Sequence, residues 1–143
     1  MTVGIFGESC TGKSTIAKLL QEKIGGAVWS GKDYLRLAKS EEAAKAAFRE
    51  KMQSGENVIY IIAEKEQLAL LPGDAVRVLV TAELSLILER FAARMRGNLP
   101  PPVKAMLERK HGCFDGEFCH VHIRSGEDSA EEAAEKILKF LSY

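Results

Sequence analysis

Gly7-Glu8-Ser9-Cys10-Thr11-Gly12-Lys13-Ser14 is the stretch whose reading decides the fold, because it fits G-x-x-x-x-G-K-[ST], a spacing that wraps backbone amides around phosphate. The run before it, Val3 to Phe6, reads as a buried strand. After it, Ile16, Leu19, Leu20 and Ile24 fall on one face of a helix predicted from about Lys13 to Lys23. Strand, glycine-rich loop and helix in that order are the context the motif requires.

Each residue type has a physical task. Gly7 and Gly12 let the backbone turn sharply and approach an anion closely. The amides of Glu8, Ser9, Cys10, Thr11, Gly12, Lys13 and Ser14 then point inward beside the positive end of the helix dipole and form an anion nest. Lys13 is a mobile cation for β- and γ-phosphates, the Ser14 hydroxyl completes the shell of a bridging Mg²⁺, and Thr15 adds a hydroxyl near the α-phosphate. These residues predict a site for ATP with Mg²⁺. Cys10 contributes its amide, and its thiol is expected to play no part.

Length and composition narrow the class. A chain of 143 residues is expected to form one domain around a single core. Twenty acidic residues balance twenty basic ones, so no net field steers the protein toward nucleic acid or an anionic membrane. No apolar run is long enough to span a bilayer and no basic, apolar, small-residue leader precedes the first strand, which predicts a cytoplasmic protein. Three cysteines, Cys10, Cys113 and Cys119, offer no disulfide framework and suit a reducing compartment. Charge is uneven: Arg90 to Arg124 holds seven Lys or Arg against three acids, whereas Glu127 to Tyr143 holds five acids against two bases. The basic stretch is where a polyanion would be clamped.

The rest of the chain alternates strands and helices. Gly25-Gly26 stops the first helix, Ala27 to Ser30 is a short strand, Asp33 opens a helical segment, and Ala44, Ala47, Phe48 and Met52 continue at helical spacing to Gly55. Residues 58–63 and 75–80 are β-branched runs, apolar enough for a sheet covered on both faces, which implies parallel strands. Thr81 is expected to cap a helix with the stripe Leu84, Ile87, Leu88, Phe91 and Met95, stopped by Gly97 and Pro100 to Pro102. A short helix at about Val103–Lys110 and a last strand at Phe118–Ile123 follow. Ser129-Ala130-Glu131-Glu132 is a capping box that opens the final helix. The predicted fold is a three-layer α/β/α sandwich around roughly five parallel strands.

This order resembles the small P-loop kinases: nucleoside monophosphate kinases, shikimate and gluconate kinases, and in particular cytidylate kinase-like proteins. The resemblance is specific at Gly7 to Thr15, at Glu89-Arg90-Phe91-Ala92-Ala93-Arg94, which looks like the lid motif E-R-x-x-x-R, and at Ile123-Arg124-Ser125-Gly126, similar to the loop against the adenine. It implies that Arg90 packs near the adenine, that Arg94 contacts transferring phosphates from a lid of about residues 90–117, and that Ser125 touches the nucleotide. Residues at i and i+4 share a helix face, so both guanidinium groups can turn to one polyanion; a solvated basic face is the alternative.

Phosphoryl transfer also needs a group that orients or deprotonates the acceptor. Asp33 stands where the resemblance places the acid after the second strand, and it equally suits a helix N-cap. Glu64 follows the next strand, where an acid would hold the metal's water shell, but it also begins a solvated Glu-Lys-Glu run. The hydrophobic run ending in aspartate, usual for that acid, is missing. His111, Cys113, Cys119, His120 and His122 crowd together, yet alternation along a strand would turn Cys119 and His122 to opposite faces and so oppose a zinc site. Cys119, Val121 and Ile123 are expected to share the core. The sequence therefore predicts a kinase acting on a small-molecule phosphoryl acceptor, as monomer or homodimer. The rival is a nucleotide-binding regulatory or degenerate module.

Overall fold

The computed structural model describes residues 1–142. Ten regular elements alternate: β1 (Thr2–Phe6), α1 (Lys13–Ile24), β2 (Ala27–Ser30), α2 (Glu41–Met52), β3 (Val58–Ile62), β4 (Val76–Thr81), α3 (Leu84–Arg94), α4 (Pro101–Lys110), β5 (Val121–Arg124) and α5 (Ala130–Leu141). Two 3-10 segments, Asp33–Leu37 and Lys65–Leu70, follow β2 and β3. The sheet has the order β2-β3-β1-β4-β5 with every neighbouring pair parallel. β1 therefore lies at the centre, and its loop leaves from the middle of the carboxyl edge, where open α/β sheets bind ligands.

Both sheet faces are buried. On one, Val3 and Ile5 meet Ile16, Ala17 and Leu20 of α1 and Ala133 and Ile137 of α5. On the other, Phe6, Tyr60 and Ile62 meet Ala44, Phe48 and Met52 of α2, and Phe114 from the segment before β5 closes the layer against Phe6 at 5.7 Å between ring centroids. This double cover is why β1 and β3 are buried at every residue rather than alternately. A third cluster, with Cys10, Ala82, Ile87 and Leu107, joins α3 and α4 to the loop after β1.

Four expectations are corrected. Thr81 does not cap α3: it is the last residue of β4, its register partner is Arg124, and its hydroxyl meets His122 Nε2 at 2.8 Å. Glu83 takes the cap position, without a side-chain cap bond. The prolines stop α3 less than they start α4, which begins at Pro101, since proline fits a first helical turn whose amides lack partners. The last strand is shorter, Val121–Arg124, because Phe118 is 67 % exposed and pairs edge-on with His120 instead of entering the ladder. Cys119 consequently packs on the Phe6 side, away from Val121 and Ile123. The capping box is present: Ser129 Oγ accepts from Glu132 N, and Glu132 Oε1 accepts from Ser129 N, both at 3.1 Å. Ser129→Ala is expected to cost about 1 kcal/mol, read as a lower urea midpoint at constant slope.

Candidate functional site

The loop after β1 is held from inside. Gly7 N donates to Ile62 O at 3.2 Å, Thr11 Oγ1 donates to Glu8 O at 2.9 Å, and Cys10 adopts a left-handed φ of 63°. At Gly7 an added Cβ would lie 2.2 Å from Val80 O, so the position admits only glycine. Ser9 is exposed on the outer turn. The start of α1 has no side-chain cap and no acidic residue in its first turn, so its free amides and dipole meet no competing carboxylate of the helix itself.

Lys13 is 6 % exposed and folds back over the loop, its Nζ donating to Gly7 O at 2.7 Å and Glu8 O at 2.6 Å. Burial brings its pKa down to about 8, with Arg94 pushing the same way and Cys10 and Glu8 opposing. An entering phosphate offers this ammonium a charge-assisted partner in place of two neutral carbonyls. Ser14 and Thr15 expose their hydroxyls at the first turn of α1. Among the described residues no three His, Cys, Asp or Glu side chains converge on one point, so a magnesium ion here would rest on the Ser14 hydroxyl, phosphate oxygens and water. That is the donor set a phosphate-bridging magnesium tolerates.

The two arginines of α3 share a helix face, and the structure gives them different work. Arg90 Nη1 donates to Cys10 O at 3.0 Å and Ser125 Oγ at 2.9 Å, tying α3 to the phosphate loop and to the turn after β5. Arg94, one turn on, makes no side-chain hydrogen bond among the described residues and acts electrostatically on Lys13. Both line a cavity of about 660 Å³, with Ile16 and Ile123 apolar and Thr15 and Ser125 polar. Glu127, Asp128 and Glu132 also line it, so it is a mixed polar and apolar cleft beside the glycine-rich loop.

The other predicted residues lie apart. Asp33 is exposed at the exit of β2, where its Oδ2 accepts from Ser30 N at 3.0 Å, and it lines neither this cavity nor the larger one beside β4 and β5. Glu64 is exposed and paired with Lys110 at 3.4 Å rather than turned to the loop. Glu8 does more than offer an amide: its carboxylate accepts from Gly112 N and meets His111 Nδ1, both at 3.1 Å. Sequence reasoning missed this tie between loop and lid because no local pattern links residues 103 and 104 positions apart. Of the histidine and cysteine group, His120 Nδ1 accepts from Arg77 N at 3.0 Å, and burial lowers the pKa of His122.

No family model matches the sequence, and no curated protein matches it. The fold has clear likenesses among solved structures. An uncharacterized protein from Eubacterium ventriosum superposes with a TM-score of 0.74 at 15 % identity, over 99 % of this chain and 98 % of that one. Shikimate kinase from Acinetobacter baumannii, solved with shikimate, gives 0.69 at 17 % identity over 98 % and 92 %. The YorR protein from Bacillus subtilis, solved with phosphorylated GDP, gives 0.68 at 21 % identity over 99 % and 96 %. At such identities the likeness establishes the fold alone, a five-stranded parallel sheet between helices.

Proposed function

We propose that this chain is an ATP- and Mg²⁺-dependent small-molecule kinase. The observation that carries the reading is the buried Lys13 ammonium, held on loop carbonyls inside a glycine-rich loop that opens beside a cavity of about 660 Å³. In the reaction an acceptor hydroxyl oxygen forms a bond to the γ-phosphorus, the bond from that phosphorus to the β,γ-bridging oxygen breaks, ADP leaves, and the hydroxyl proton passes to a base. Magnesium, when bound, neutralises charge on the β- and γ-oxygens. The loop amides and Lys13 hold the triphosphate, Arg94 adds positive charge as the transition state forms, and Arg90 shapes the wall of the base cavity. Asp33 is the acceptor-side group that orients the hydroxyl and takes its proton. The nucleotide-bound and kinase-named neighbours support the same class.

Asp33→Ala tests the assignment. Turnover is expected to fall about 100-fold, the usual scale for losing a general base, with ATP affinity measured by calorimetry unchanged. The second reading, a module that binds nucleotide without transfer, is favoured by one feature: the first acid after β3, Glu64, is spent on Lys110. It predicts ATP binding, no ADP release with any acceptor, and no effect of Asp33→Ala.

A further inference from the structure

The glycine-rich loop carries a buried acid. The side chain of Glu8 is 10 % exposed, and both carboxylate oxygens are engaged: Oε2 accepts from Gly112 N and Oε1 from His111 Nδ1, each at 3.1 Å. A carboxylate only accepts, so Nδ1 carries the hydrogen. Left without donors, a buried charge is strongly disfavoured, and beside a phosphate it would also repel the ligand. The donors come from the turn after α4. There Gly112 has a φ of +80°, and a Cβ would lie 3.0 Å from Asp115 Oδ2. Cys113 N donates to Lys110 O and Asp115 N to Gly112 O, both at 3.0 Å, while the buried Phe114 packs on Phe6, the residue before Gly7. Turn and loop thus share one footing, the end of β1.

The same residue seats the lysine. Glu8 O accepts from Lys13 Nζ at 2.6 Å, beside Gly7 O at 2.7 Å. Burial lowers the pKa of that ammonium to about 8; Cys10 and Glu8 of the loop oppose the fall, as does Cys113 of the turn, while Arg94 of α3 adds to it. Clamped at its tip by two donors, the Glu8 side chain leaves its own peptide little freedom to rotate, so the carbonyl that holds Lys13 keeps its direction. Two residues on, Arg90 fixes Cys10 O from α3 at 3.0 Å.

Resting on the kinase reading, we infer that Glu8 is a positioning residue for phosphoryl transfer: clamped by His111 and Gly112, it sets the place from which the Lys13 ammonium reaches the γ-phosphate, and so makes the seating of the lid turn a condition of the reaction. It acts through Lys13 and touches no reacting atom.

ADP release at saturating MgATP is measured with the acceptor that wild type turns over fastest among nucleosides, nucleoside monophosphates, sugars and hydroxy acids. Glu8→Ala is expected to lower kcat by about 10- to 100-fold, the scale of a misplaced contact, while ATP affinity at pH 7 stays within about threefold because the loop amides remain. Glu8→Gln keeps an acceptor for Gly112 and a donor for His111, so its kcat is expected within about threefold of wild type. It lacks the charge, and the alkaline fall in ATP affinity is expected to begin about 0.5 pH unit lower, the shift of a modest charge pair. His111→Ala removes one donor and is expected to lower kcat by about threefold to tenfold, with no further loss when it is added to Glu8→Ala. A merely structural tie would lower Tm in Glu8→Ala and leave kcat and the alkaline limb in place. That result, or losses that multiply in the double variant, overturns the inference and leaves the kinase reading standing. Should Glu8→Ala not fold, the alkaline limb of Glu8→Gln and the kcat of His111→Ala decide by themselves. ATP binding with no ADP release for any acceptor removes the kinase reading, and the inference with it.

Discussion

Lys13→Met is expected to lower ATP-dependent transfer by about 100- to 1000-fold, the scale seen when one preorganised charge is removed from a transition state. The side chain is buried, and in the resting protein its ammonium holds only the carbonyls of Gly7 and Glu8. Methionine keeps most of the length and none of the charge, so the loop retains its shape while the phosphates lose their cation. The lysine's titration supplies a second readout. Its pKa in the folded protein is about 8, against an unfolded value of 10.5, and phosphate contact is expected to raise it toward the unfolded value. Nucleotide affinity is therefore expected to be flat below pH 8 and to fall roughly tenfold per pH unit between about 8 and 10. Calorimetry at pH 8.5 in buffers of different ionisation enthalpy should register proton uptake on binding; affinity that stays level to pH 10 would refute the assignment.

The same titration has a sign in stability. Because burial lowers the folded pKa of Lys13, the unfolded chain binds the extra proton between pH 8 and 10.5, and stability gains as pH rises through that window. Below pH 8 the cost of burying the charge is fully present, on the order of 3 kcal/mol, and the two carbonyl hydrogen bonds offset part of it. Below pH 8 Lys13→Met is expected to melt no lower than wild type. On the kinase reading the lysine serves an anion, and its removal is expected to lower affinity without lowering stability.

Gly7→Ala is expected to destabilise the fold by about 3 kcal/mol and to abolish measurable nucleotide binding. The added Cβ would meet Val80 O at 2.2 Å and Thr11 Oγ1 at 3.5 Å, with φ at +157°. Val80 cannot yield, because β4 is hydrogen-bonded between β1 and β5. Gly12→Ala is the control: φ is +95°, but the nearest atom, Ser125 Oγ, is 3.8 Å away, so only backbone strain of about 1 kcal/mol is expected. Urea denaturation of the pair distinguishes contact from conformation, and equal losses would show that the approach of Val80 carries no weight.

The sequence signals that succeeded were local and periodic. Residues 7–14 are contiguous, the runs in β3 and β4 are β-branched, and Ser129 with Glu132 forms its cap within one turn. Thr81 misled because a threonine before an apolar stripe suits a cap, whereas in the fold β5 arrives beside it and extends the ladder through Arg124. Phe118 misled because aromatic character alone does not place a residue in a sheet; pairing starts only at Val121.

Read alone, the amino-acid order determined that this chain turns a glycine-rich loop at the end of its first strand and stacks parallel strands between helices, since turn geometry and burial pattern are properties of neighbouring residues. Only the tertiary structure decided that Glu8 holds Gly112, that Arg90 ties Cys10 to Ser125, and that Gln67 is left without a donor beside Gly31. Those relations join residues 35 to 104 positions apart, and a partnership at such distance exists only once the core has packed and set the strand exits side by side.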